Sequence, residues 1–187
     1  MNDLDQLIAK KNRTLLMGIL NVTPDSFSDG GKFNTVETAI EKGISLIEDG
    51  ADILDIGGES TRPGADLVSE KEELKRIIPV IKELRSRYKT PISVDTNKSE
   101  VARIAIDNGA TFVNDVSGLT MDEKMVELVA CKNVPIVIMH MKGTPKTMQK
   151  KPQYTNVVQE IFRFLENQTN FALKNGVKPK NIIIDPG

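Results

Sequence analysis

The chain has 187 residues, with 25 Lys and Arg against 26 Asp and Glu and a formal net charge of -1. That balance excludes bulk electrostatic attraction to nucleic acid or to an anionic membrane surface. A single cysteine excludes an internal disulfide, and no apolar run reaches the ~20 residues that a membrane-spanning helix needs. The charged opening, MNDLDQLIAKKNR, has no secretory-signal character. The whole reads as one soluble, cytoplasmic domain over residues 1–187.

After a short polar lead-in, Leu15–Leu20 reads as strand one and discharges at Asn21 into a polar loop marked by Pro24, Gly30 and Gly31. Thr35 opens a helix whose Val36, Ile40, Ile44 and Ile47 keep helical spacing until Gly50. Asp52–Ile56 is strand two and runs into a second polar loop, Gly57 to Gly64. A capping-box pattern at Ser69–Glu72 opens the next helix, which carries Leu74, Ile77, Ile78, Ile81 and Leu84. Pro79 inside it predicts a kink or a break. Pro91–Val94, Thr111–Val113, Val134–Met139 and Asn181–Ile184 read as strands three to six. Helices over 97–108, 121–131 and about 155–174 separate them, and Cys131 reads as packing filler late in the second of these. The stretch 141–154 is a Lys- and Pro-bearing polar loop, its lysines solvated.

One phrase recurs: a helix, a Gly, an apolar strand, then Asp or Asn, as in DGADILDIGG and NGATFVNDVS. Six strands, each alternating with a helix, argue parallel βα units, and their apolar character fits a sheet covered on both faces. No G-x-G-x-x-G follows strand one, so a dinucleotide-binding doubly wound sheet is disfavoured. Polar residues end every strand, as in a (β/α)8 TIM barrel, where all the strand ends meet at one mouth. Such a barrel takes about 250 residues. The chain therefore reads as an α/β protein holding the first six βα units of an incomplete barrel.

Collected at that mouth are Asn21, Asp55, Glu59, Thr61, Arg62, Asp95, Asn114, Asp115, His140 and Asp185. Asp and Asn side chains match the donor and acceptor edge of a fused nitrogen ring, and buried carboxylates need such a partner. Asp95 and Asp185 directly end apolar strands and are the prime candidates. Asp55 and Asp115 read more simply as helix caps or binders of loop amides. Arg62, with Thr61 on a Gly-rich loop, suits a phosphate or pyrophosphate. His140, the lone histidine, reads as structural or pocket-lining.

These segments resemble a specific family. MGILNVTPDSFSDGG at 17–31, GGESTRPG at 57–64, SVDT at 93–96, NDV at 114–116, MHM at 139–141 and DPG at 185–187 are similar, in order, to the motifs of dihydropteroate synthase. The resemblance covers essentially the whole chain. It implies a transferase of folate biosynthesis (EC 2.5.1.15) and a sulfonamide target. The enzyme would join 6-hydroxymethyl-7,8-dihydropterin pyrophosphate to p-aminobenzoate, giving 7,8-dihydropteroate and pyrophosphate, with Mg²⁺ as cofactor and a homodimer as its assembly. It implies that Asp95, Asn114 and Asp185 hydrogen-bond the pterin, with Val116 and Met139 lining its slot. Asn21 would bind Mg²⁺, Thr61 and Arg62 would serve the pyrophosphate and p-aminobenzoate region, and Phe27 and Pro63 would wall in p-aminobenzoate. Asp29 would stabilise positive charge on the pterin methylene. The family's Lys on strand seven and Arg-x-His on strand eight lie beyond Gly187. Two neighbouring readings are a methyltetrahydrofolate-binding methyltransferase barrel, which would lack the first loop's motif, and an inactive pterin-binding fragment.

Overall fold

A computed structural model of the protein describes residues 9, 12–23, 35–60, 68–143 and 152–187. Six strands form one parallel sheet: β1 Met17–Asn21, β2 Ile53–Gly57, β3 Ile92–Asp95, β4 Phe112–Asp115, β5 Ile136–Met139 and β6 Ile182–Asp185. Their order in space is their order in sequence, β1 to β6, with every neighbouring pair parallel. Five α-helices separate them: α1 Thr35–Glu48, α2 Glu70–Arg87, α3 Ser99–Asp107, α4 Lys124–Lys132 and α5 Val157–Lys174. A doubly wound sheet reverses its strand order at a switch point; this one never does. The sheet is open, with β1 and β6 at its edges.

Strand alternation sorts the core. Leu54 and Ile56 of β2, Ile92 and Val94 of β3, and Ile136 and Ile138 of β5 face outward and merge with the helices into one large apolar cluster. In α2, Ile77, Val80, Ile81 and Leu84 follow the i, i+3, i+4, i+7 pattern and are all but fully buried. Burying each such side chain stabilises the fold by roughly 1.5–3 kcal/mol. Ile53, Phe112 and Val137 face the other way and form a smaller cluster with Leu15 and Ile183. That inner face is the inside of the incomplete barrel.

Half of the capping box is present: the Ser69 hydroxyl accepts from the Glu72 amide at 3.3 Å, while the Glu72 carboxylate accepts from Arg76 Nε at 3.1 Å. The expected break at Pro79 is absent, and α2 runs through it from Glu70 to Arg87. Pro79 is exposed, so the bond it cannot give to the Lys75 carbonyl is missing on the solvent side, while its buried neighbours anchor both halves. Every strand but β5 ends one or two residues later than the sequence predicts, so that Asn21, Asp95, Asp115 and Asp185 lie inside their strands. The helix expected from residue 121 starts at Lys124, because the Asp122 carboxylate caps two helix starts at once. It accepts from the Lys124 amide at 2.9 Å and the Ser99 amide at 2.7 Å. Cys131 is exposed and does not fill the core as its place in the helix predicts.

The open edges carry uncovered apolar groups. Ile19 on β1 is 55% exposed and Ile184 on β6 is 58% exposed. Beside β6, a groove of about 270 Å³ is lined by Phe162, Leu165, Glu166, Thr169, Asn170 and Ile184. No helix among the described residues is long and apolar enough to cross a membrane.

Behind the end of β4 the chain turns sharply at Gly118, whose φ of +60° is left-handed. A Cβ there would collide with the Met139 carbonyl oxygen and lie 3.0 Å from the Phe164 ring. Gly118→Ala is therefore expected to destabilise the protein by more than about 1 kcal/mol in urea unfolding. An unchanged midpoint would show that the turn relaxes freely.

Candidate active site

Parallel strands in sequential order bring all their C-terminal ends to one side. There the register aligns Asn21 with Gly57, Gly57 with Asp95, and Asp95 with Asn114. Further along, Met139 pairs with Asp185. Side chains alternate along a strand, so residues level with one another share a face. Gly57 reports what that face holds: a Cβ built on it would meet Asp95 Oδ2 at 3.3 Å and Asn21 Oδ1 at 3.6 Å. The missing side chain at Gly57 thus leaves room between an amide oxygen and a carboxylate.

Two residues below Gly57 on the same face, Asp55 is buried, and its Oδ2 accepts from Asn114 Nδ2 at 3.0 Å. This contact uses the Asn114 nitrogen, so its amide oxygen remains available as an acceptor. Asp55 Oδ1 has no hydrogen-bond partner. Burial pushes the Asp55 carboxyl above its ordinary value. The nearby Ser93 hydroxyl, which falls short of a regular hydrogen bond, and the Asn114 amide oppose that shift.

Asp95 keeps some exposed surface, yet it is crowded by protein and by like charges. Desolvation pushes its carboxyl well above the ordinary 3.8, and the charges of Asp55, Glu73, Asp115 and Glu59 push it further. A carboxyl in this state can accept a hydrogen bond or donate one. Such ambivalence suits a heterocycle whose edge alternates donors and acceptors. Val116 lies with Asp95, Thr96 and Ser60 around a cavity of about 20 Å³. Met139 is half-buried at the end of β5. Asp185 Oδ1 accepts from the Gly187 amide at 2.9 Å, which steadies the strand end.

The structure therefore brings Asn21, Asp95 and Asn114 into one row, with Val116 beside Asp95. Met139 and Asp185 continue the strand ends. Phe27, Asp29, Thr61, Arg62 and Pro63 lie outside the described residues.

Asp115, as the sequence predicts, serves its own loop. It accepts from the Ser117 amide at 2.9 Å, the Ser117 hydroxyl at 2.6 Å and the Leu119 amide at 2.9 Å. Asp55 does not: it neither caps a helix nor binds loop amides, but sits under the row and orients Asn114. His140 is structural. Its amide donates to the Asp185 carbonyl at 2.9 Å, and its ring meets Phe164 edge-on at 5.2 Å.

Sequence reasoning also passed over Glu73 and Lys98. Glu73 is fully buried on α2, and Lys98 Nζ donates to it at 2.6 Å and also to Glu59. The available signal was Glu73's position, four residues before Ile77 on the buried stripe of α2.

The family described as pterin binding enzyme matches residues 17–187. The chain belongs to that family. Within it, the chain is 50% identical over 175 residues to a dihydropteroate synthase of Synechocystis sp., covering 94% of this chain and 61% of the relative. Among solved structures it is similar to the Xanthomonas albilineans dihydropteroate synthase with 4-aminobenzoic acid. The TM-score is 0.87 and the identity 49%, over 94% of this chain and 62% of that one. The same bacterium's enzyme in complex with 7,8-dihydropteroate matches with a TM-score of 0.83 at 45% identity, over 94% of this chain and 61% of that one. The chain spans about three fifths of the length of the relatives it matches.

Crowded acids have a stability signature. The folded Asp95 carboxyl holds its proton above 3.8, where the unfolded chain has released it, so stability falls as pH rises through that window. Asp95→Asn should accordingly raise the thermal midpoint at pH 7, with the gain vanishing as pH falls toward 3.8. A gain independent of pH would show that like-charge crowding is not its source.

Proposed function

We propose that the chain forms the pterin- and pyrophosphate-facing part of a dihydropteroate synthase. The reaction joins 6-hydroxymethyl-7,8-dihydropterin pyrophosphate to p-aminobenzoate and releases pyrophosphate. One observation carries this reading: the register row Asn21, Gly57, Asp95 and Asn114, in a chain half identical to a synthase of this name.

In this reading Asp95 and Asn114 take the ring's polar edge, Asp185 closes it, and Val116 and Met139 supply the apolar wall. Asp55 is a positioning residue that fixes the Asn114 amide. The bond between the methylene carbon and pyrophosphate breaks, and pyrophosphate leaves with the electron pair. The aromatic amine then bonds to that carbon and sheds a proton. Asp29 offsets positive charge on the methylene, as a preorganised carboxylate can. Thr61 and Arg62 receive the pyrophosphate, and Phe27 and Pro63 wall in p-aminobenzoate. Water is to be kept from the reacting carbon, where it would compete with the amine.

Magnesium takes few protein ligands and completes its shell with water and phosphate oxygens. Asn21 fits that demand, with an exposed strand-end position and an amide oxygen on the Asp95 side. Among the described residues no group of three or more His, Cys, Asp or Glu forms a metal cage. This donor set suits an ion that arrives with the pyrophosphate. When bound, Mg²⁺ neutralises charge on the leaving group and eases its departure. A homodimer is the expected assembly.

The test is a pyrophosphate-release assay with both substrates. It compares the chain with a version completed by the C-terminal part of the Synechocystis relative. The completed version should turn over; its failure would overturn the synthase reading. Asn21→Ala should weaken Mg²⁺-dependent binding of the pyrophosphate substrate roughly 10- to 100-fold, the scale of a lost contact to a charged group. Unchanged Mg²⁺ dependence would reduce Asn21 to a loop anchor.

A further inference from the structure

The start of the loop after β2 is gripped from two sides. On one side it lies against α2. A Cβ at Gly58 would meet Ile77 Cγ2 at 2.8 Å and Glu73 Cγ at 3.0 Å. Arg76 Nη1 donates to the Gly58 carbonyl at 2.8 Å. On the other side, Lys98 donates to both Glu59 and Glu73. Three elements therefore meet at one ammonium: the loop after β2, the helix α2 and the turn after β3.

The arrangement is costly. Glu73 is fully buried, and its Oε1 has no hydrogen-bond partner. A buried ion pair often stabilises less than apolar side chains of the same volume would. What an apolar trio would not supply is direction. Lys98 fixes the Glu59 carboxylate, and Glu73 fixes Lys98 from a rigid helix. Burial pulls the Lys98 ammonium down, but its bonds to Glu59 and Glu73 outweigh that and hold it above its ordinary value, so it stays charged.

Position gives this clamp its use. Lys98 lies three residues after Asp95, and Glu59 two residues before Thr61. Glu59, Glu73 and Asp95 border the same small cavity. We propose that Lys98 and Glu73 are positioning residues that hold Glu59, and with it the start of the loop after β2 from Gly58 to Ser60, at the cavity shared with Asp95, for the pyrophosphate end of the substrate. The inference rests on the pyrophosphate role proposed above for that loop.

The test is titration calorimetry on the 187-residue chain with two probes, 6-hydroxymethylpterin and its dihydropterin pyrophosphate. Glu59→Gln cuts the tether and keeps the Glu73–Lys98 pair. It should bind the pyrophosphate form roughly 10- to 100-fold more weakly, the scale of a misplaced contact, and the bare ring as the wild type does. Lys98→Met leaves two carboxylates unpaired and can unfold the chain. The paired change Lys98→Met with Glu73→Gln avoids that and should show the same selective loss. Wild-type affinity for both probes, or equal loss of both, in Glu59→Gln would overturn the clamp. A wild-type chain that binds neither probe would instead overturn the reading of the site, and this inference with it.

Discussion

Sequential parallel pairing puts every strand end on one side, and the register then decides which side chains stand level. Asn21, Gly57, Asp95 and Asn114 are level because four strands pair without a slip. A shift of one residue at any of these pairings would send the side chains of the shifted strand to the opposite face. The outward strand residues forbid that slip. Leu54, Ile56, Val94 and Ile138 are fully buried against the helices, and a slip would exchange them for Asp55, Asp95 or Met139. The apolar core thus specifies the polar site, although the two lie on opposite faces of the sheet.

The region around the strand ends holds more negative charge than a stable fold alone would keep. Asp55, Glu73 and Asp95 are all pushed above their ordinary values, in each case first by burial. Unmatched polar atoms remain at Asp55 and Glu73. The compensation differs from place to place. Asp55 is met by a neutral amide and Glu73 by an ammonium, whereas among the described residues no side-chain amide or ammonium meets Asp95. Titratable groups perturbed in this way gather where a ligand supplies the missing partner, and Asp95 is the clearest case.

Much of this was legible in the sequence. Most strands are short apolar runs closed by Asn or Asp, and that closure marks Asn21, Asp95, Asn114 and Asp185. The absence of a switch-point motif after strand one pointed to the barrel order. Asp55 was misjudged because strands read as apolar on both faces hide their alternation: Ile53, Asp55 and Gly57 face inward while Leu54 and Ile56 face the helices. Pro79 misled because its helix is held by long-range burial, which local propensity cannot see. Cys131 misled because its helix position alone does not say which side meets the core. The contacts of Lys98 with Glu73 and Glu59 join residues 25 and 39 positions apart, and no spacing in the chain foretells such a meeting.

The two edges of the sheet carry exposed isoleucines, whereas the strand ends between them carry the polar row. The account's central claim is that this row, and not the apolar groove between α5 and β6, receives the ligand. A crystal structure of the chain soaked with 6-hydroxymethylpterin tests it most directly. The account predicts the ring at the inner-face mouth, its polar edge bonded to Asp95 and Asn114, with Val116 and Met139 against its faces. A ring seated against Phe162 and Ile184, with the mouth free of it, would contradict the account.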